Sequence, residues 1–186
     1  MDSLDQLKIQ ASTCVKCSLS QTRTNSVFSR GNPKARIMFI GEAPGKNEDL
    51  EGKPFVGRSG QLLDKLIKQE MIMEPEQCYV ANVVKCRPPD NRDPKPEEVQ
   101  SCFGYLEGQL NWVQPSVIVT LGNWASRTLL ETNQGITQIR GKLYPFGSSI
   151  LIPTYHPAAA LRGRGEVLAQ MRSDFAKAKQ VMEANG

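Results

Sequence analysis

The sequence predicts an α/β fold in which a parallel sheet is covered on both faces by helices. Three observations predict it. Four short apolar runs, 36–40, 78–84, 116–121 and 150–153, read as strands buried on both faces. Segments with helical spacing lie between them. The loops that follow the runs begin at Gly41, near Lys85, at Gly122 and at Thr154, and in a parallel sheet such loops converge on one edge.

Taken in order, residues 2–10 read as a short helix, and 14–36 as a polar, irregular stretch. The first strand runs into GEAPGKNEDLEGKPFVGRSGQLL, Gly41 to Leu63, a loop rich in glycine, proline and carboxylates. A loop that only connects is shorter and blander. Ser59 is placed to cap a helix reaching about Glu70. Pro96-Glu97-Glu98 starts another, with proline in the first turn and carboxylates at the positive dipole end, and it should reach about Trp112. Gly122-Asn123 opens a third, to about Leu130. Val167, Leu168, Met171, Phe175, Ala178 and Met182 mark an amphipathic C-terminal helix. With no internal repeat, low-complexity tract or linker, residues 1–186 are expected to form a single domain.

Composition narrows the function classes. The chain has 23 basic and 19 acidic residues, a net charge of +4, which is weak evidence for a polyanionic partner. Lys85, Arg87, Arg92 and Lys95 form one basic group and Arg162, Arg164 and Arg172 another, although such groups are ordinarily solvated surface. The opening Met1-Asp2-Ser3-Leu4-Asp5 lacks the pattern of a secretory signal, and no apolar run approaches the ~18 residues of a membrane span. A cytoplasmic location with no membrane partner is expected.

Disulfides are rare in that compartment, so five cysteines need another explanation. Cys14 and Cys17 form a C-x-x-C pair among polar neighbours, a spacing that grips one metal centre from a single turn. Cys86 ends the second strand run, and Cys102 falls on the helix with Val99, Phe103, Leu106 and Leu110. Four thiolates from three places would tie the N-terminal arm to the body of the fold. Zinc and an iron–sulfur cluster both accept four thiolates, and spacing does not separate them. Cys78, inside an apolar run, reads as an inert buried thiol.

The strand-end loops hold the candidate chemistry. His156, the single histidine, follows the last strand, and Glu42 directly follows the first, with Glu48 and Asp49 farther along. Loop carboxylates are normally solvated and a lone histidine is normally structural; the strand-end position is what singles these out. Phe55, between Pro54 and Gly57, belongs to neither strand nor helix and by itself reads as a core plug. Asn82 interrupts the apolar run 79–84, and a buried amide must find partners in the backbone or in a ligand.

Together, GEAPGKNEDLEGKPFVG, the ANVVKCRPP at 81–89, the HPAAALR at 156–162 and the four cysteines resemble a family 4 uracil-DNA glycosylase, from Cys14 to about Arg172. The resemblance implies a three-layer α/β/α sandwich on a four-stranded parallel sheet. It implies a structural [4Fe–4S] cluster on Cys14, Cys17, Cys86 and Cys102, leaving Cys78 free. It implies a monomer acting on uracil-containing DNA, single- or double-stranded, that flips out uracil and hydrolyses its N-glycosidic bond. In that reading Phe55 stacks on the flipped base, Asn82 reads its edge and Glu48 crowds the position of a thymine methyl. His156 donates to O2, Glu42 holds a water and stabilises the cationic sugar, and the backbone around Gly41 and Ala43 completes the uracil pocket. Leu161 wedges into the vacated stack while Arg162 and Arg164 hold phosphates.

Rival readings differ at identifiable residues. A superfamily relative that traps uracil-DNA covalently carries glutamine where Ala43 stands, and a basic insertion with a histidine after the Cys86 position. This chain continues Arg87-Pro88-Pro89-Asp90-Asn91 and has its one histidine at 156, which favours a turnover enzyme. A zinc-stapled nucleic-acid-binding module without catalysis is the alternative of another class, and it would be colourless. A phosphate-binding loop at 41–45 lacks the lysine-serine ending that such loops need.

Overall fold

Strands β1 (Arg30–Gly31), β2 (Ile37–Gly41), β3 (Tyr79–Asn82), β4 (Val117–Leu121), β5 (Tyr144–Phe146) and β6 (Ser149–Thr154) form one sheet in the order β1-β3-β2-β4-β6-β5. The structure, a computed structural model, describes residues 3–163 and 165–185. The central strands β3, β2, β4 and β6 are parallel and correspond to the four apolar runs of the sequence. The expected four-stranded sheet is extended to six by short antiparallel strands at both edges. Neither edge strand has an apolar run. One is an Arg-Gly pair and the other has Pro145 at its centre, features that blunt an edge and hide it from pattern reading.

Helices α1 (Leu4–Ser12), α4 (Pro96–Val113) and α5 (Asn123–Leu130) cover one face, and α3 (Arg58–Leu66) and α8 (Gly165–Ala184) the other. Alternation along β2 divides the two cores. Met38 and Ile40 pack with Tyr105, Leu106 and Ala125, whereas Ile37 and Phe39 pack with Leu63, Leu66 and Phe175. The Phe39 and Phe175 rings stack with centroids 5.4 Å apart. The result is the three-layer sandwich that the alternation of strands and helices predicts. Among the described residues, no helix is long and apolar enough to cross a membrane.

Local chemistry sets the helix ends. At α1, Ser3 Oγ accepts from the Gln6 N–H at 3.2 Å while Gln6 Oε1 accepts from the Ser3 N–H at 2.7 Å. At α4, Glu98 reaches back to the Lys95 N–H at 2.8 Å. Two expectations are corrected. Ser59 lies inside the first turn of α3, which starts after Gly57 without a side-chain cap. The long loop after β2 contains a short helix, α2 (Lys46–Glu51). Its buried Asp49 accepts from the backbone N–H groups of Thr24 and Asn25, so the polar N-terminal stretch is stapled to the site-bearing loop. Of two further short helices, α6 (Ile136–Ile139) precedes β5 and α7 (Pro157–Leu161) follows β6.

Candidate active site

The connections leaving the carboxyl ends of the four parallel strands meet around a cavity of about 690 Å³. In a sheet of this order, chain direction reverses beside β2, which opens a crevice at the strand ends. Glu42, Ala43, Glu48, Phe55, Asn82 and His156, from three separate connections, line this one cavity, together with Arg162.

Gly41 lies behind the wall. A side chain there would collide with Asn82 Oδ1 and the Phe55 ring, so its missing Cβ lets both groups close on the end of β2. Phe55 has φ 55°, a left-handed conformation rare for an aromatic residue. Glu48 fixes it there, because its Oε1 accepts from the N–H groups of Val56 at 3.1 Å and Gly57 at 3.0 Å. Glu48 therefore braces the loop that presents Phe55, a structural job that the sequence did not reveal.

Asn82 is 2% exposed. Its backbone carbonyl accepts from Lys85 Nζ at 2.6 Å, but its side-chain Oδ1 is buried with no hydrogen-bond partner among the described residues. A buried acceptor left so costs about 1–3 kcal/mol, and what it lacks is a hydrogen-bond donor.

His156 caps α7, its Nδ1 accepting from the Ala158 N–H at 3.1 Å. Use of Nδ1 as an acceptor puts the proton of the neutral ring on Nε2. Burial, and then the positive charge of Arg162, push its pKa down to about 4, so the ring is neutral at pH 7. Glu42 moves the other way. Burial, and then the charge and hydrogen bond of Asp93, raise its carboxyl to about 7.

The thiols gather on the α1–α4 side. Cys14, Cys17, Cys86 and Cys102 border one small pocket, and all five cysteines are free thiols. Arg23 Nη1 donates to Cys86 Sγ at 3.2 Å, and the Lys85 N–H donates to Cys102 Sγ at 3.3 Å. Among the described residues, no group of three or more His, Cys, Asp or Glu side chains is drawn together as for a single metal ion. Burial raises both inner thiols, Cys102 to about 11, while the neighbouring cations Arg23 and Lys85 act against that rise. Four sulfurs with N–H donors and cations beside them fit a multi-thiolate, anionic group. Cys78 is fully buried elsewhere, and burial pushes it up to about 12.

Comparison with known proteins agrees with this geometry. A family model described as the uracil DNA glycosylase superfamily matches residues 28–182. The chain belongs to the uracil-DNA glycosylase superfamily. It is 48% identical over 169 residues to the type-4 uracil-DNA glycosylase of Sulfurisphaera tokodaii, covering 87% of this chain and 77% of that one. It is 43% identical over 192 residues to the type-4 enzyme of Saccharolobus solfataricus, covering 99% and 88%. With that of Archaeoglobus fulgidus the identity is 43% over 185 residues, covering 95% and 92%.

Within this superfamily member, several cavity residues escape a sequence reading. Asn91, Arg92 and Asp93 come from the segment after Cys86, Trp124 and Arg127 from α5, and Tyr155 from beside His156. Their loops were expected at this edge, but no local pattern marks these side chains. Leu161, 39% exposed, ends α7 and does not line the cavity. Arg164 lies outside the described residues.

Proposed function

We propose that this chain is a uracil-DNA glycosylase of the type-4 kind, which draws uracil from DNA into the carboxyl-edge cavity and hydrolyses the bond between N1 and C1′. The observation that carries the reading is the buried, unpartnered Oδ1 of Asn82 in a wall shared with Phe55 and His156. Uracil supplies the missing donor through N3–H, and the Asn82 amide N–H faces O4. Cytosine presents the opposite pattern at both atoms and leaves the amide unpaired. Phe55 supplies the stacking face. Glu48, held by Val56 and Gly57, crowds the C5 position so that a thymine methyl is refused.

Bond breaking separates charge into an oxocarbenium-like sugar and a uracil anion. The Nε2–H of neutral His156 donates to O2, where negative charge develops. Glu42 holds the attacking water and stabilises the sugar cation. Backbone groups around Gly41 and Ala43 complete the uracil pocket. Leu161 enters the vacated stack, and Arg162 and Arg164 hold phosphates.

Cys14, Cys17, Cys86 and Cys102 hold a [4Fe–4S] cluster in this reading, which when bound serves as a structural anchor. Residues 1–186 act as one domain and a monomer, in the cytoplasm. The test is incubation with a uracil-containing oligonucleotide followed by alkali. A cut at the uracil position supports the reading, and an intact strand sinks it. Colourless protein with bound zinc would favour a zinc-stapled module instead.

A further inference from the structure

We infer that Lys85 is a positioning residue for uracil recognition: its side chain holds the end of β3 so that the Asn82 amide keeps its place in the cavity wall. This rests on the glycosylase reading above, in which Asn82 reads the base edge. The sequence groups Lys85 with basic residues that ordinarily form solvated surface, but the structure buries it, at 1% exposed. A lysine is almost never buried so fully unless it is paired. The partners of this one are neutral oxygens, because Nζ donates to the Asn82 carbonyl at 2.6 Å and to Gln109 Oε1 at 2.6 Å.

The sheet explains why Asn82 needs such a partner. β1 pairs with β3 at Arg30 opposite Val80 and Gly31 opposite Tyr79, so the ladder on that edge stops short of Asn82. On the other side the Val83 N–H donates to the Gly41 carbonyl at 2.9 Å. That N–H shares a trans peptide with the Asn82 carbonyl, and the two point opposite ways, so the carbonyl faces the edge that β1 has left. A buried carbonyl there requires a donor. Gln109, on α4, completes the span, its Nε2 donating to the Phe28 carbonyl at 3.0 Å and to Tyr79 Oη at 3.2 Å. Gln109 and Lys85 thus bridge the backbone of Phe28 to that of Asn82 where the strand ladder has ended. Lys85 is itself pinned, because its N–H donates to Cys102 Sγ at 3.3 Å and its carbonyl accepts from the Val27 N–H at 2.7 Å.

The bridge matters because Asn82 Oδ1 has no partner of its own among the described residues. Before a base arrives, no bond to that oxygen fixes the amide, so the backbone that carries it sets where it points. A misplacement of about 1 Å can cost on the order of 10²-fold in rate. Both Lys85 bonds are donated N–H bonds that the amine makes whether charged or neutral, so the effect is one of position and not of protonation state. Lys85→Met keeps an unbranched apolar stem and removes both donors.

The experiment is single-turnover excision from a uracil-containing oligonucleotide by the cluster-loaded full chain, comparing wild type, Lys85→Met, Asn82→Ala and the double variant. Lys85→Met is expected to slow excision roughly ten- to hundredfold while affinity for uracil-free DNA holds within about twofold. In the Asn82→Ala background the same change should alter the rate by less than about twofold, because the group that Lys85 positions is gone. A full additional loss in that background overturns the inference. So does an unchanged rate in the single variant, or an equal loss of affinity for uracil-free DNA, and Lys85 is then a core residue only. Absence of excision by the wild type sinks the glycosylase reading instead. If Lys85→Met does not fold, Gln109→Met, which breaks the other half of the bridge, takes its place in the same cycle with the same outcomes.

Discussion

The rings of Phe55 and His156 lie with centroids 5.8 Å apart and planes inclined by 31°. That spacing leaves no room for a base between them. In the proposed function a flipped uracil would stack on Phe55 and meet His156 with its edge. Phe55→Leu keeps the packing volume near the core but removes the flat face. It is expected to weaken productive uracil-DNA capture by about 1–3 kcal/mol. Single-turnover kinetics against enzyme concentration, beside a melting curve, checks this. A lower melting temperature with unchanged kinetics would return Phe55 to a packing role.

The neutral state of His156 makes a second prediction. Its pKa, lowered to about 4 chiefly by burial, keeps the ring uncharged across the range in which the enzyme works. The pH–rate profile should therefore show no limb near 6.5 from histidine. His156→Ala should lose about 3–4 kcal/mol of transition-state stabilisation, a factor of 10² to 10³ in rate, with DNA affinity nearly unchanged. Equal losses in rate and affinity would speak for a role in folding the α7 turn instead.

Glu42 is expected to cost stability where it serves function. Its folded-state pKa, raised to about 7, means that the folded chain keeps a proton that the unfolded chain has released between about pH 4.5 and 7. Stability from this group is thus full below the unfolded value and lost as pH rises through the folded one. Glu42→Gln should be more stable than the parent at pH 8, by on the order of 1–3 kcal/mol, and equal to it near pH 4. Denaturant melts at the two pH values test the sign.

If the four thiols hold the proposed cluster, its removal should loosen the fold before it touches the chemistry. Cys14 and Cys17 follow α1, Cys102 lies on α4, and Arg23 bridges Cys86 to the Ser12 carbonyl. Cys102→Ser is expected to lose absorbance near ~400 nm and to lower the melting temperature. Cys78→Ala, away from that pocket, should keep the absorbance and cost only packing, about 1 kcal/mol. Loss of the absorbance with Cys78→Ala would reassign the ligands.

The strength of the sequence signal follows from how local each cause is. The four parallel strands are legible because burial on both faces demands uninterrupted apolar runs. The edge strands are not, because an Arg-Gly pair and a Tyr-Pro-Phe segment form strands only when a neighbour offers hydrogen bonds. Asn82 stood out as a polar residue in an apolar run. Asp93 had no such contrast, being one charged residue in a charged loop.

By itself the sequence determined the alternation of strands and helices, the edge at which the strand-end loops collect, and the residue types offered there. All of these follow from hydrophobic periodicity and chain order, which are read along one dimension. Only the tertiary structure decided that Glu48 bonds to Val56 and Gly57, that Nδ1 of His156 is occupied, and that Asp93 lines the same cavity as Glu42. Those outcomes depend on burial and on distances between segments remote in the chain, and both exist only once the sheet has brought the loops together.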